Sequence, residues 1–249
     1  MPVLGVIPAR LASSRLPRKP LLPLAGEPLI VHVVRRVADF DVCDRLVVAT
    51  DAKEIAKVVE RAGFEAVLTS PEHRSGTERV AEVVGKQDFS DFTFIVNVQG
   101  DEPFVAKEAV GGALACLERG EILGTAAGSL DPALVTDPNR VKVLLDPKGR
   151  AVYFSRAPIP FDRDGSGEVV YHQHVGVYSY TREALDVWVR LPPVPAETWE
   201  RLEQLRPLLH GIPMGVTLFE GPAAPGIDTP ADLAWAETEV TRTLKEVSP

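Results

Sequence analysis

Short apolar runs alternate with amphipathic stretches through the first 120 residues, and this alternation constrains the fold more than any other feature of the sequence. The apolar runs at residues 3–7, 46–49 and 92–98 are each followed, directly or after a loop, by a segment with helical periodicity. Strands that alternate with helices favour a mostly parallel sheet with helices on both faces. Their near-continuous apolar character fits strands buried on both sides. The sequence therefore predicts an α/β fold.

The pattern changes after about residue 120. Strand-like segments then dominate, and they lie at residues 124–129, 141–145, 152–155 and 174–180. Helical patterns return at 182–190 and 198–209, followed by a strand at 214–219 and a closing helix at 230–244. We therefore expect a mixed sheet, mostly parallel, with an antiparallel extension.

Composition narrows the class of protein. The 249 residues are 45% hydrophobic and 25% charged, which fits one globular domain. No apolar run approaches the roughly 20 residues that span a bilayer, and the first residues do not resemble a signal peptide. Two widely spaced cysteines, Cys43 and Cys116, favour buried thiols over a disulfide framework. We expect a cytoplasmic protein with no membrane partner.

Charge is distributed unevenly along the chain. The net charge of −8 argues against nucleic-acid binding, yet the first 26 residues contain no acid and carry +4, which leaves −12 for the rest. The four basic residues follow the first strand, where open α/β sheets bind phosphates; they are Arg10, Arg15, Arg18 and Lys19. The loop has neither the dinucleotide nor the Walker glycine pattern. The pattern indicates an anion site, and a solvated basic loop is the alternative.

Two carboxylates are candidates for a metal site. The strand at 92–98 runs into the turn at 99–103, which places Asp101 at the carboxyl edge of the sheet. Asp228 precedes a helix start in which Thr229 is the expected N-cap and Pro230 the first helical residue. Carboxylate oxygens suit a hard cation such as magnesium together with substrate phosphates. A plain turn is the alternative for Asp101.

The segment Ser75-Gly76-Thr77-Glu78 reads as a capping box at the start of a helix. Capping accounts for Ser75 and Glu78 but leaves Arg74 and Arg79 without a role. A helix N-terminus beside two arginines can hold an anion or a nucleotide.

His174 and Tyr178 lie four residues apart in a strand-like run, so their side chains share one face. They are candidates to line a substrate pocket. Ordinary hydrogen bonding at a half-buried surface is the alternative. No Cys/His cluster has the spacing of a zinc site.

These segments together resemble the 3-deoxy-D-manno-octulosonate (Kdo) cytidylyltransferases over nearly the whole chain. The basic-loop part of the motif set, residues 7–10 with 13–21, is shared more widely among sugar nucleotidyltransferases. The full set in this order is specific, and it consists of residues 7–10, 13–21, 48–51, 75–80, 96–103, 153–160, 174–180, 202–206 and 227–233.

The resemblance implies a Rossmann-like nucleotidyltransferase fold, with residues 1–249 as one domain and about 130–180 as a sugar-binding and dimerisation extension. It implies a homodimer and Mg²⁺ as cofactor. The implied reaction transfers CMP from CTP to the anomeric hydroxyl of Kdo, giving CMP-Kdo and pyrophosphate for lipopolysaccharide-type polysaccharide synthesis.

The resemblance also implies roles for individual residues. The catalytic group would comprise Arg10, Lys19 and Asp101, and magnesium would bind Asp101 and Asp228. The nucleotide would contact Pro8, Ala9, Arg10, Arg15, Lys19, Ser75 and Arg79. The sugar acid would contact Gln99, Arg156, His174, Tyr178, Glu203 and Gln204. No side-chain base is assigned.

Two other functions stay open at this point. One is a cytidylyltransferase for another keto acid, such as a sialic-acid-like sugar. The other is a non-catalytic nucleotide-binding protein on the same fold. Arg18 also departs from the family pattern, because glycine is usual there; we expect its extra charge to suit the anion site.

Overall fold

The predicted order of strands and helices is present in the computed structural model, which describes residues 1–13 and 15–247. The strands are β1 (Val3–Ala9), β2 (Pro23–Leu24), β3 (Glu27–Pro28), β4 (Arg45–Thr50), β5 (Glu65–Leu68), β6 (Phe94–Val98), β7 (Leu123–Leu130), β8 (Lys142–Leu145), β9 (Ala151–Ser155), β10 (Tyr171–Thr181) and β11 (Gly215–Pro222).

The helices alternate with these strands in the first half of the chain and cluster in the second. They are α1 (Leu29–Ala38), α2 (Lys53–Arg61), α3 (Gly76–Val84), α4 (Lys107–Glu118), α5 (Arg182–Arg190), α6 (Pro195–Glu200), α7 (Leu205–Leu209) and α8 (Pro230–Val247), with short 3₁₀ turns at Lys19–Leu21, Gln87–Phe89 and Pro132–Leu134. In the part of the chain that the structure describes, none of them combines the length and apolar character needed to cross a bilayer.

The central sheet is mixed, with the strand order β11-β7-β10-β6-β1-β4-β5. The pairs β1–β4, β1–β6, β4–β5 and β11–β7 are parallel. Strand β10 runs antiparallel to both of its neighbours, β6 and β7. It also pairs with β8, which pairs with β9, so these two strands form an antiparallel arm.

Both faces of the sheet are covered, as the apolar strands predict. Successive residues of β1 point to opposite sides. Val6 lies in an apolar cluster with Val80 of α3 and Trp188 of α5. Ile7 lies in another cluster with residues of α1 and α4, such as Ile30. A strand buried on both sides cannot alternate polar with apolar residues, which explains its continuous apolar run.

The helical pattern at 198–209 is not one helix, and this boundary prediction was wrong. Helix α6 ends at Glu200, Arg201 adopts a left-handed conformation with φ of 53°, and α7 begins only at Leu205. A left-handed residue stops an α-helix because the next amide no longer points along the axis. The residues between the two helices, 201–204, form a turn.

Helix α8 begins where the sequence predicts. Asp232 N donates to Thr229 Oγ1 at 3.2 Å, and Thr229 N donates to Asp232 Oδ2 at 2.7 Å. These two hydrogen bonds cap the helix by pairing backbone N–H groups at its start. They do not use the carboxylate of Asp228, which is left for other contacts.

Gly124 of β7, which packs against α4, and Gly111 on the open side of α4 give a matched stability test. A Cβ on Gly124 of β7 would lie 2.5 Å from Ala113 O and 2.5 Å from Ser179 Oγ, whereas a Cβ on Gly111 of α4 would meet nothing within 4 Å. We expect Gly124→Ala to lower the free energy of unfolding by about 2 kcal/mol or more through overpacking. Gly111→Ala should leave it unchanged or raise it by up to about 1 kcal/mol, because alanine favours a helix. Chemical denaturation measures both, and equal effects would contradict this packing.

Candidate active site

A cavity of about 700 Å³ opens at the edge of the sheet where β1 and β6 end. The loop after β1 and the turn after β6 form part of its wall, together with β10, the α6–α7 turn and the segment before α8. Every residue to which the family resemblance gives a role lines this one cavity: Pro8, Ala9, Arg10, Arg15, Lys19, Ser75, Arg79, Gln99, Asp101, Arg156, His174, Tyr178, Glu203, Gln204 and Asp228.

The loop after β1 presents positive charge to the cavity. Arg10 is exposed, and within the described residues its guanidinium forms neither a hydrogen bond nor an ion pair. Arg15 donates to Asn139 Oδ1 at 3.2 Å and lies 2.9 Å from Asp228 Oδ2. Guanidinium groups that are only partly neutralised suit the oxygens of a triphosphate.

Lys19 joins three segments at the floor of the cavity. Its Nζ lies 2.6 Å from Asp101 Oδ2, 3.0 Å from Asp228 Oδ1 and 3.0 Å from the carbonyl oxygen of Ile227. Burial opposes the charged ammonium, but attraction by Asp101 and Asp228 outweighs it and raises the pKa of Lys19. The same attraction outweighs burial at Asp228 and lowers the pKa of that carboxyl group. Lys19 and Asp228 are therefore both charged at neutral pH.

Asp101 and Asp228 meet the chemical requirements of a magnesium site. They come from distant parts of the chain, yet one ammonium group contacts an oxygen of each. Two carboxylates so close to one cation offer the hard oxygen donors that magnesium prefers. Among the described residues, no group of three or more His, Cys, Asp or Glu side chains could hold a metal ion by itself. Phosphate and water oxygens would have to complete the coordination.

Glu102 is a buried carboxyl group of the cavity that the sequence analysis did not assign. It accepts a hydrogen bond from Gly176 N at 3.1 Å. Burial, reinforced by the negative charges of Asp101 and Asp228, raises the pKa of Glu102 to about 8. It therefore holds a proton for most of the time at neutral pH. The only sequence signal was its position directly after Asp101.

The N-terminus of α3 forms another wall. Ser75 Oγ accepts a hydrogen bond from Glu78 N at 3.2 Å, which confirms Ser75 as the N-cap. The Glu78 carboxylate accepts from Arg74 N at 2.7 Å rather than from Ser75 N, so the other half of the predicted capping box is displaced by one residue. Glu203 Oε2 lies 3.5 Å from Thr77 N, so this carboxyl group also faces the helix start. Burial raises the pKa of Glu203, and its hydrogen bonds to Ser75 and Thr77 oppose the shift. The predicted nucleotide and sugar residues therefore touch at this helix end.

Arg79 is buried in the protein wall, with its guanidinium fixed by protein groups. It donates to the Thr69 hydroxyl and to the Ser70 carbonyl oxygen, and it lies 3.4 Å from Asp51 Oδ2. Asp51 in turn accepts a hydrogen bond from Leu11 N at 3.1 Å. Arg79 thus connects α3 to the start of the basic loop as well as lining the cavity.

Arg156 is held almost entirely by neutral oxygens. Its Nε donates to Glu200 O at 2.6 Å and its Nη1 to Pro138 O at 2.6 Å, while its backbone N–H donates to Glu200 Oε2 at 2.9 Å. Burial and repulsion from Arg15 lower the pKa of Arg156. Within the described residues, no carboxylate forms an ion pair with its guanidinium. Its charge remains available to an anionic ligand.

His174 and Tyr178 both face the cavity, although a bulge lies between them in β10. His174 Nε2 is 3.0 Å from Thr125 Oγ1, and its ring packs edge-on against Phe154. Burial lowers the pKa of His174 to about 3, so the ring is neutral at neutral pH. Burial also raises the pKa of Tyr178 and keeps its hydroxyl protonated. This wall offers neutral hydrogen-bonding groups.

Gln99 and Gln204 complete the predicted sugar wall. The backbone N–H of Gln99 donates to Gly176 O at 2.8 Å, which fixes the turn after β6 against the bulge of β10. Gln204 is 2% exposed and precedes α7. Other polar residues of the cavity carried no sequence signal, because long-range contacts bring them there: Asn139, Arg140, Glu197 and Arg201.

Comparison with known proteins decides the family. The sequence matches the family model described as cytidylyltransferase over residues 4–214. A protein named 3-deoxy-manno-octulosonate cytidylyltransferase from Gemmatimonas aurantiaca is 51% identical over 243 residues, which cover 96% of this chain and 94% of that protein. One of the same name from Methylococcus capsulatus is 45% identical over 247 residues, with coverage of 95% and 96%.

A solved structure agrees with these relatives. It is described as CMP:2-keto-3-deoxy-manno-octonic acid synthetase complexed with CTP. It has a TM-score of 0.89 and 35% identity to this protein, over 98% of this chain and 100% of that one. The chain belongs to the 3-deoxy-manno-octulosonate cytidylyltransferase family. The predicted family and α/β fold class are confirmed, and the roles of individual residues stay predictions.

Arg18 does not add charge to the anion site of this cytidylyltransferase, and that expectation was wrong. Its guanidinium pairs with Glu54, and both side chains are more than half exposed. Its backbone is left-handed, with φ of 58° and ψ of 30°, just before the 3₁₀ turn at Lys19–Leu21. Only glycine adopts this conformation without a steric penalty, which explains why glycine is usual at this position of the loop.

The backbone at position 18 gives a direct prediction. Arg18→Gly and Arg18→Ala both remove the exposed pair with Glu54, but only glycine relieves the left-handed conformation. We expect the glycine variant to be more stable than the alanine variant by about 1 kcal/mol, measured by chemical denaturation. Both should retain turnover, because the side chain lies outside the cavity. An alanine variant as stable as the glycine variant would contradict the assignment.

Proposed function

We propose that this protein transfers CMP from CTP to the anomeric hydroxyl of Kdo, with release of pyrophosphate, for lipopolysaccharide-type polysaccharide synthesis. One observation carries the proposal: a single cavity holds three cations of one loop, a further arginine from a different segment and a pair of carboxylates. Arg10, Arg15 and Lys19 lie in the loop after β1, and Arg156 directly follows β9. Two anionic substrates can thus be bound side by side.

Arg10, Arg15 and Lys19 are suited to bind the triphosphate. Arg10 has no partner to give up within the described residues, and Arg15 is partly exposed. Ser75 and Arg79 lie at the start of α3, where backbone N–H groups and a fixed guanidinium can contact the cytidine. Because protein contacts already hold the Arg79 guanidinium in place, little conformational entropy is lost when it binds the nucleotide.

Arg156, His174, Tyr178 and the nearby carboxyl and amide groups are suited to bind the sugar acid. Arg156 keeps an unpaired charge for the sugar carboxylate. His174 and Tyr178 are neutral and can hydrogen-bond hydroxyl groups. With a pKa of about 3, His174 is too weak a base to take the proton from the anomeric hydroxyl. We therefore assign no side-chain base.

Asp101 and Asp228 would hold magnesium. When bound there, the ion would neutralise phosphate charge and lower the pKa of the attacking hydroxyl group. Lys19 would stay close to both carboxylates and share the negative charge of the triphosphate. The protein contributes by placing the acceptor hydroxyl in line with the leaving pyrophosphate and by stabilising charge that develops there.

The two alternatives fit less well. The named relatives favour Kdo over a sialic-acid-like acceptor. A non-catalytic binding protein would have no need for a carboxylate pair beside the triphosphate cations.

We also propose a homodimer in the cytoplasm. Support for the dimer comes from the segment at about 130–180, where Phe161 and Val170 are 80% and 71% exposed.

The reaction itself is the first test. With CTP and magnesium, pyrophosphate release should require Kdo, and a sialic acid should support less than about a tenth of that rate, because contacts to the acceptor determine discrimination. ATP and GTP should be poor donors. Comparable rates with every acceptor or every nucleotide would exclude the proposed specificity, and no release with Kdo and CTP would exclude the activity.

The metal assignment is tested by Asp101→Asn and Asp228→Asn. Each keeps the size of the side chain but removes a negative charge from the site. We expect turnover to fall by at least about 100-fold, because a major electrostatic contribution to the transition state is lost. The magnesium concentration needed for half-maximal turnover should rise.

Asp186→Asn is the matched control, since Asp186 is exposed on α5 and, among the described residues, forms its ion pair with Arg190. Thermal melting separates a metal defect from unfolding in all three variants. Normal turnover of a folded Asp101 or Asp228 variant at low magnesium would remove that residue from the metal site.

A further inference from the structure

Lys142 is a buried cation with no anionic partner. The side chain is fully buried at the start of β8, between Ser155 of β9 and Gln173 of β10. Within the described residues its ammonium forms no ion pair. Burial lowers the pKa of Lys142, although the nearby Asp137 carboxylate opposes the shift. Burial of a charged group costs free energy unless hydrogen bonds or ion pairs replace its contacts with water.

The ammonium of Lys142 donates to two backbone carbonyl groups from different segments. Nζ lies 2.5 Å from Arg156 O and 3.1 Å from Asp137 O. The first carbonyl belongs to the arginine assigned to the sugar acid. The second belongs to the turn at 137–139, which lies beside the same cavity. One buried group therefore holds both the main chain of Arg156 and the turn to which the Arg156 guanidinium donates a hydrogen bond.

Four cations contact the turn at 137–139: Arg140 Nε lies 3.8 Å from Asp137 Oδ2, and the other three donate hydrogen bonds to the turn. Lys142 binds the carbonyl of Asp137, Arg156 Nη1 binds that of Pro138 at 2.6 Å, and Arg15 Nη1 binds the side chain of Asn139 at 3.2 Å. Arg15 belongs to the phosphate loop. The turn thus joins the nucleotide half of the site to the sugar half, and its hydrogen bond to Lys142 is more buried than those to Arg15 and Arg156.

We infer that Lys142 is a positioning residue for acceptor binding: it holds the main chain of Arg156 and the turn at 137–139 so that the guanidinium meets the sugar carboxylate. The inference rests on the proposed assignment of Arg156 to the sugar acid. An ammonium group suits this task, because it supplies three donors from one small head on a long stem. Within the described residues no carboxylate lies at ion-pair distance from the ammonium. Asp137 and Glu200 attract it and Arg156 repels it, so its direct contacts are the hydrogen bonds to the two carbonyl groups.

Lys142→Met tests the inference, because it keeps the stem but removes all three donors. In the pyrophosphate-release assay, we expect KM for Kdo to rise by about 10-fold or more while KM for CTP changes by less than about 2-fold. Lys142→Gln retains an uncharged donor and should show a smaller rise in KM for Kdo. Stabilisation of the folded protein by CTP, measured as a melting shift, should equal that of the wild type in both variants.

Val143→Ala is the matched control. Val143 is the next residue of β8, is 2% exposed and lies in the apolar core. Its truncation leaves a cavity and lowers the melting temperature, but both KM values should stay unchanged. A variant at Lys142 that behaves like Val143→Ala, with a lower melting temperature and unchanged KM for Kdo, would overturn the inference.

Arg156→Ala separates failure of the inference from failure of the proposed function. A large rise in KM for Kdo in Arg156→Ala, with no rise in the Lys142 variants, rejects only the positioning role. No rise in Arg156→Ala rejects the proposed sugar site itself, and with it the inference. If Lys142→Met does not fold, Lys142→Gln decides the question, because an unchanged KM for Kdo in that variant also rejects the role.

Discussion

The contact of Lys19 with Asp101 and Asp228 is the interaction on which the site depends. It joins the loop after β1, the turn after β6 and the segment before α8, which are far apart in sequence. Two carboxylates this close would repel each other without a cation between them. The ammonium therefore makes the arrangement stable before any substrate binds, and burial strengthens the attraction by excluding water.

Much of the fold follows from the sequence because it depends on short-range patterns. The apolar runs of β1, β4 and β6 are buried on both faces, and only a sheet covered by helices allows this. The starts of α3 and α8 were predictable for a similar reason, since their caps involve residues three positions apart. These features need no knowledge of distant contacts.

The parts that could not be predicted depend on long-range contacts or on backbone conformation. The helical pattern at 198–209 did not reveal that Arg201 is left-handed, and the charge of Arg18 did not reveal that it faces Glu54. Lys142 gave no sequence signal, and Glu102 gave only its position after Asp101, because the surroundings of both depend on burial beside groups from distant segments. The cavity residues, in contrast, could be identified from the sequence, because the family resemblance assigns roles in one site to residues that lie far apart along the chain.

The reversed direction of β10 has a consequence for how specificity can change. Because β10 runs antiparallel to β6, its residues near Gly176 lie beside the turn that ends β6, so chain beyond residue 150 reaches the edge already used by the first half. Five of the six residues assigned to the sugar lie in that later stretch: Arg156, His174, Tyr178, Glu203 and Gln204. Under the proposed assignment, acceptor choice and nucleotide choice are encoded in largely separate stretches of the gene, so exchange of residues 150–205 between relatives would redirect one while preserving the other.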